Sequence, residues 1–80
     1  MGETTRVGVD LAKRVIQVHA VDAMGRVIVA RQLQRDGFTA WCAQLPPGCL
    51  VAMEACSGSH HWGRRLRAMG LEVKLLAPVI

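Results

Sequence analysis

The segment Cys49-Leu50-Val51-Ala52-Met53 constrains this chain more than any other, because five apolar residues follow one another without a break between the turn residues Pro46-Pro47-Gly48 and the acid Glu54. A run of strand length without alternation fits a strand covered on both faces, inside a sheet rather than at its rim. The flanking segments have a different period. Before the run, Phe38, Trp41, Cys42 and Leu45 recur at i, i+3, i+4 and i+7 behind Asp36, a residue able to cap a helix, and Pro46 stops the pattern. After it, Ser57-Gly58-Ser59 offers a second cap, Trp62, Leu66 and Met69 share one helical face, and Gly70 ends the helix.

Elsewhere the period is two. Arg6 to Asp10 reads as a first strand with Val7 and Val9 on one side. Arg14 to Val21 reads as a second, Asp22-Ala23-Met24-Gly25 as a turn, and Val27 to Ala30 as a third. Leu71 to Leu75 closes the series as a half-exposed strand, with Glu72 and Lys74 opposite Leu71, Val73 and Leu75. The element order is therefore βββαβαβ. Strands one to three form a meander, and a right-handed crossover then lays strand four on the free side of strand one. The predicted fold is α/β, a five-stranded mixed sheet in the order 3-2-1-4-5. Both crossovers run the same way, so both helices lie on one face and the other is left bare. An apolar bare face and an open edge at strand five predict a homo-oligomer, most simply a two-fold dimer.

A chain of 80 residues holds one core, so residues 1–80 are taken as a single domain, with residues 1–5 as a flexible N-terminus. With 51% hydrophobic and 20% charged residues and a mean hydropathy of +0.25, the chain is too apolar for a disordered tail. Its longest apolar runs fall far short of the roughly 18 residues of a membrane-spanning helix. The opening Met1-Gly2-Glu3-Thr4-Thr5 lacks a secretory pattern, so a cytoplasmic setting is expected. Cys42, Cys49 and Cys56 are odd in number and form no C-x-x-C pair, which argues against a disulfide framework or zinc knuckle and for small buried hydrophobes. Ten Lys and Arg against six Asp and Glu give +4, a weak pointer to an anionic partner.

The sharpest chemical feature follows from the strand order. Strands one and four are parallel neighbours about 4.8 Å apart, and each ends on an acid, Asp10 and Glu54. Two carboxylates so placed suit a hard divalent cation such as Mg²⁺, which takes one or two carboxylates and keeps waters for a phosphate substrate. Two such ions activate a nucleophile and stabilise the leaving oxygen in phosphodiester cleavage. The plainer reading of Asp10 is an acid paired with Lys13 or Arg14. Glu54, directly behind an apolar run, is costly to bury without a partner.

Val7-Gly8-Val9-Asp10-Leu11-Ala12-Lys13, then Met53-Glu54-Ala55-Cys56-Ser57-Gly58, then Leu66, Gly70, Val73 and Ala77-Pro78, resemble in order and spacing the N-terminal domain of DEDD-type insertion-sequence transposases. That domain is similar to the RuvC resolvase and has the ribonuclease H-like fold. The resemblance covers residues 6 to 78. It implies a DNA transposase or recombinase using a Mg-dependent carboxylate site for strand cleavage or transfer, with Asp10 and Glu54 as the first two acids of the set and metal ligands. It also implies that two further aspartates, and a C-terminal domain that helps hold guide RNA and DNA, lie beyond Ile80. The chain then corresponds to an incomplete fragment, inactive alone, that binds Mg²⁺ or Mn²⁺ weakly.

Other candidates are weighed against plainer roles. Arg64, Arg65 and Arg67 could contact backbone phosphate or form a solvated helix face, and Lys13 could meet a phosphate or neutralise Asp10. Ser57 and Ser59 could receive an anion at a helix start or serve as ordinary caps. The adjacent His60 and His61 point about 100° apart on a helix, which makes them poor joint ligands. His19 reads as a partly buried polar residue that could share a sheet face with Asp10. Trp41 and Trp62 read as core. Two rival classes remain. The opening hairpin also resembles the first phosphate loop of actin-like ATPases and sugar kinases, although Leu11-Ala12-Lys13 stands where those have Gly-Thr or Gly-Ser. The other is a non-catalytic interaction module.

Overall fold

A computed structural model describes residues 4–12, 14–56 and 58–77. The elements follow the order β1 (Arg6–Leu11), β2 (Ile16–Val21), β3 (Val27–Leu33), α1 (Arg35–Cys42), β4 (Leu50–Glu54), α2 (Ser59–Ala68) and β5 (Glu72–Leu76). They form one five-stranded sheet ordered β3-β2-β1-β4-β5, as the periodicities require. β1 runs antiparallel to β2 and parallel to β4, β2 antiparallel to β3, and β4 parallel to β5.

Strand parity sorts side chains between two faces. Val7 and Val9 of β1, Ile16, Val18 and Ala20 of β2, Leu33 of β3, and Val51 and Met53 of β4 point to one side and are buried. Phe38 and Cys42 of α1 and Trp62 and Leu66 of α2 join them in a single cluster, so both helices cover this face. Phe38 meets the Trp62 ring edge-on at a centroid distance of 4.9 Å, which joins the two helices on the covered face.

The turns explain the chain's reversals. Asp22 is buried, and its Oδ1 accepts the backbone N–H of Met24 at 2.9 Å and of Arg26 at 3.0 Å, while Gly25 adopts φ +81° in the β2–β3 turn. At the end of α2 the Leu71 N–H donates to the Leu66 carbonyl and the Gly70 N–H to that of Arg67, at 3.1 and 3.0 Å, with Gly70 at φ +86°. This is a Schellman closure, and it aims the chain straight into β5.

Several expectations change at this level. β4 is not covered on both faces: Val51 and Met53 are buried, while Leu50 and Ala52 are half-buried and Glu54 is exposed. Its unbroken apolar run reflects crowding between two neighbouring strands rather than a second layer. β2 starts at Ile16 rather than Arg14, and β3 continues to Leu33 because the whole length of β2 is available to pair with it. Asp36 lies inside the first turn of α1, and the N-cap position falls to Gln34, whose side chain makes no capping bond. Met69, expected on the packed line of α2, caps the helix and is exposed. Of the N-terminal residues expected to be flexible, residues 1–3 lie outside the described ones. Thr5 is tied on both sides, its N–H to Val21 and its carbonyl to the Leu50 N–H.

The bare face is not the apolar surface the sequence suggested. It carries Arg6, Gly8, Asp10, Gln17, His19, Ala30, Gln32, Glu54, Glu72 and Lys74 as exposed residues, with Val27, Ile28 and Leu76 the large exposed apolar ones at its margins. Val73 and Leu75 lie on the other side, packed against the core.

Candidate metal and nucleic-acid site

β1 and β4 pair in parallel with Val7 opposite Val51, Gly8 opposite Ala52 and Val9 opposite Met53. The ladder ends there, and the next residue along each strand is an acid, Asp10 on β1 and Glu54 on β4. Because Val9 and Met53 point into the core, the two acids emerge together on the open face, and both are exposed. Among the described residues neither carboxylate takes part in a side-chain hydrogen bond or an ion pair; Arg26 with Asp22, at 3.8 Å, forms the ion pair seen there. Arg14, one of the plainer partners suggested for Asp10, makes no contact of that kind, and Lys13 lies outside the described residues.

Around the acids the register fixes the neighbours. Gln17 of β2 stands opposite Asp10, and Leu76 of β5 opposite Glu54. One step back, a row crosses the whole sheet: Ala30, His19, Gly8, Ala52 and Lys74. The donor set suits a hard cation, since two exposed carboxylates supply oxygen ligands and leave room for water. No cluster of three or more His, Cys, Asp or Glu groups exists among the described residues, so the chain offers a pair of acids rather than a closed cage.

The remaining candidates do not converge on this pair. Arg64, Arg65 and Arg67 are exposed on α2, which packs on the opposite side of the sheet. Arg65 lies over the Trp62 ring at 5.2 Å, and an Arg67 Nη donates to the Val73 carbonyl at 3.5 Å, so two of the three guanidiniums are partly engaged by their own helix and strand. Ser59 is fully buried. Its Oγ donates to the Cys56 carbonyl at 2.8 Å and accepts the Cys56 N–H at 3.0 Å, a local ring that matches the capping role weighed beside the anion contact. Ser57 lies outside the described residues. His60 and His61 are exposed, and His61 leans on Trp62 at 5.7 Å. His19 is exposed rather than partly buried, and it does share a face with Asp10.

The cysteines divide. Cys42 and Cys49 are buried free thiols, as expected, and Cys56 is exposed, which is not. Burial, with a smaller contribution from the neighbouring Cys49, pushes the Cys42 thiol up to about 12, and burial also raises Cys49. A cleft of about 300 Å³ opens between Cys56, Arg35, Leu11 and Trp62 at the carboxyl ends of β1 and β4, on the helix side. Sequence reasoning missed this cleft and the row around Gly8. For the row, the signal was present: residues 6, 8 and 10 share a parity.

No protein-family model matches the chain. Curated relatives do. A probable family 20 transposase of Pseudomonas aeruginosa is 53% identical over 74 residues, covering 92% of this chain and 22% of the relative. The chain is similar to insertion-sequence transposases. The transposase for insertion sequence element IS1111A of Coxiella burnetii is 42% identical over 90% of this chain and 20% of its own length. That for IS1328 of Yersinia enterocolitica is 35% identical over 98% of this chain and 23% of its own. The chain thus spans about a fifth of the length of the transposases it matches.

Proposed function

We propose that the chain is part of a DNA transposase, the portion that carries the first two acids of a DEDD-type, RuvC-like site on a ribonuclease H-like fold. The observation that carries this reading is Asp10 beside Glu54 at the carboxyl ends of adjacent parallel strands, both exposed on an open face. The transposase relatives support it over the ATPase rival. On this reading Asp10 and Glu54 hold Mg²⁺ or Mn²⁺ through hard carboxylate oxygens. When bound, the metal supplies activation of an attacking oxygen and stabilisation of a leaving one on a DNA phosphate. The chain's own part is to present two carboxylates on rigid strands with water access. On this reading the pair of acids acts together with further acids and guide RNA contacts that the 80 residues do not supply, and the 80-residue chain tested alone is expected to show no strand cleavage or transfer.

Mn²⁺ titration followed by NMR tests the reading. Binding in the millimolar range, with line broadening centred on Asp10 and Glu54 and lost in Asp10→Ala, is the expected result. Broadening centred on His60 and His61 would refute it.

The homo-oligomer belongs to the same proposal. The open face is largely polar, so a two-fold dimer pairs β5 edges rather than burying that face. Light scattering at micromolar concentration that finds a monomer removes it.

A further inference from the structure

Asp10 has a neighbouring strand on each side, and the two sides differ in kind. Toward β4 lies Glu54, the first residue past the shared ladder, as Asp10 is on β1. Toward β2 its register partner is Gln17, and the β3 partner of Gln17 is in turn Gln32. Val9, Val18 and Leu33, each next in sequence to one of these three, are buried under the helices, so Asp10, Gln17 and Gln32 share the other face. Directly opposed residues have Cβ atoms about 4.5–5.5 Å apart, within reach of a glutamine amide. The pairing is made by β1, β2 and β3 themselves, so it holds whatever else lies over that face.

The residue types give this row a direction. A glutamine carries an NH₂ that donates and a carbonyl that accepts, whereas an ionised carboxylate only accepts. Asp10 therefore calls for the NH₂ end of Gln17, which turns the Gln17 carbonyl toward β3, where the Gln32 NH₂ can meet it. Charge matters as well. A Lys or Arg at position 17 would pair with Asp10 and compete with a divalent cation, and a further acid would add repulsion; an amide supplies a donor and no charge. Among the described residues none of these three side chains is engaged in a hydrogen bond, so both amides can turn toward Asp10. Carboxylates that hold a metal are themselves hydrogen-bonded by outer partners, and those partners set their orientation.

We infer that Gln17, oriented by Gln32, is a positioning residue for Asp10: its amide donates to one carboxylate oxygen while a divalent cation takes the other. The bond tightens as the cation fixes the carboxylate. This rests on the metal-site reading above and deepens it.

Gln17→Met keeps the length of the side chain and removes the amide. Mn²⁺ titration of the 80-residue chain, followed by line broadening at Asp10 and Glu54, should show affinity lowered by roughly tenfold, as when a ligand loses its outer partner. The Tm should stay within about 4 °C of the parent value, because an exposed strand position carries little stability. Gln32→Met should weaken binding by roughly threefold, and the double variant should bind no more weakly than Gln17→Met alone, the mark of a residue that acts through another. With Mg²⁺ in place of Mn²⁺, the Gln17 side-chain amide signals should move in the parent chain and stay still in Asp10→Ala. Unchanged Mn²⁺ affinity in Gln17→Met overturns the inference and leaves the metal site standing. Losses that simply add overturn the role of Gln32, and Gln17 signals that follow Mg²⁺ equally in Asp10→Ala overturn the contact. A larger fall in Tm, matched by lost binding, assigns Gln17 to the fold instead. Absence of Mn²⁺ binding in the parent chain overturns the metal reading and the inference with it.

Discussion

The two faces of the one sheet are built to opposite rules. Under the helices, Val7, Val9, Val18, Val51 and Met53 interlock with Phe38, Trp62 and Leu66, and nearly every position is apolar and dry. On the other side the same strands present glycine, alanine, glutamine, histidine and acids, exposed to solvent. β1 shows the contrast within six residues, since Val7 and Val9 are core while Gly8 and Asp10 do nothing for the core at all. Stability is concentrated on the covered face, and the open face uses residues that stability alone would not select. Such a division is expected where a sheet must be both a scaffold and a surface for chemistry.

The largest effect that would break this contrast is truncation of Phe38. The ring is fully buried and edge-on to Trp62, so Phe38→Ala removes packing from both helices and leaves a cavity. A loss of about 3–5 kcal/mol is expected, which for a domain of this size is a large share of its total stability. Gln17→Ala, opposite Asp10 on the open face, should change stability by less than about 0.5 kcal/mol. Urea denaturation of both variants measures the difference; comparable losses would mean that the open face is part of the core.

Much of this arrangement was legible in the chain itself. Alternation in β1 and β5, the helical spacing of Phe38 with Cys42 and of Trp62 with Leu66, and the handedness of crossovers suffice for the strand order and for bringing Asp10 to Glu54. Other features were not. The apolar run of β4 cannot distinguish cover by a second layer from crowding between two strands, because both demand small or apolar residues at Leu50 and Ala52. Crossover handedness puts the arginines of α2 on the helix-covered side, but the engagement of Arg65 by the Trp62 ring and of Arg67 by the Val73 carbonyl has no mark in the sequence. The fate of Ser59 depended on a local bond with Cys56 that competes with any ligand at the helix start.

A smaller effect separates the thiols, and it probes the covered face from within. Cys42 is buried against the core beside Cys49, and its thiol is pushed up to about 12 from an ordinary value near 9. In the unfolded chain the same thiol ionises near its ordinary value, so between about 9 and about 12 the folded state holds a proton that the unfolded state has released. The unfolded state then binds fewer protons, and stability falls as pH rises through that window, by on the order of 1 kcal/mol per pH unit. Below the window the thiol is protonated in both states and contributes no slope. Denaturation midpoints at pH 8 and pH 10.5 should therefore diverge more in the parent chain than in Cys42→Val, which stays apolar and removes the ionisable proton. Cys56, exposed at the mouth of the helix-side cleft, should react with a thiol reagent in the folded protein while Cys42 and Cys49 stay protected until unfolding. If Cys42→Val shows the same pH divergence as the parent, another group governs alkaline unfolding. Rapid labelling of Cys42 in the folded chain would mean that the covered face opens far more readily than its packing implies.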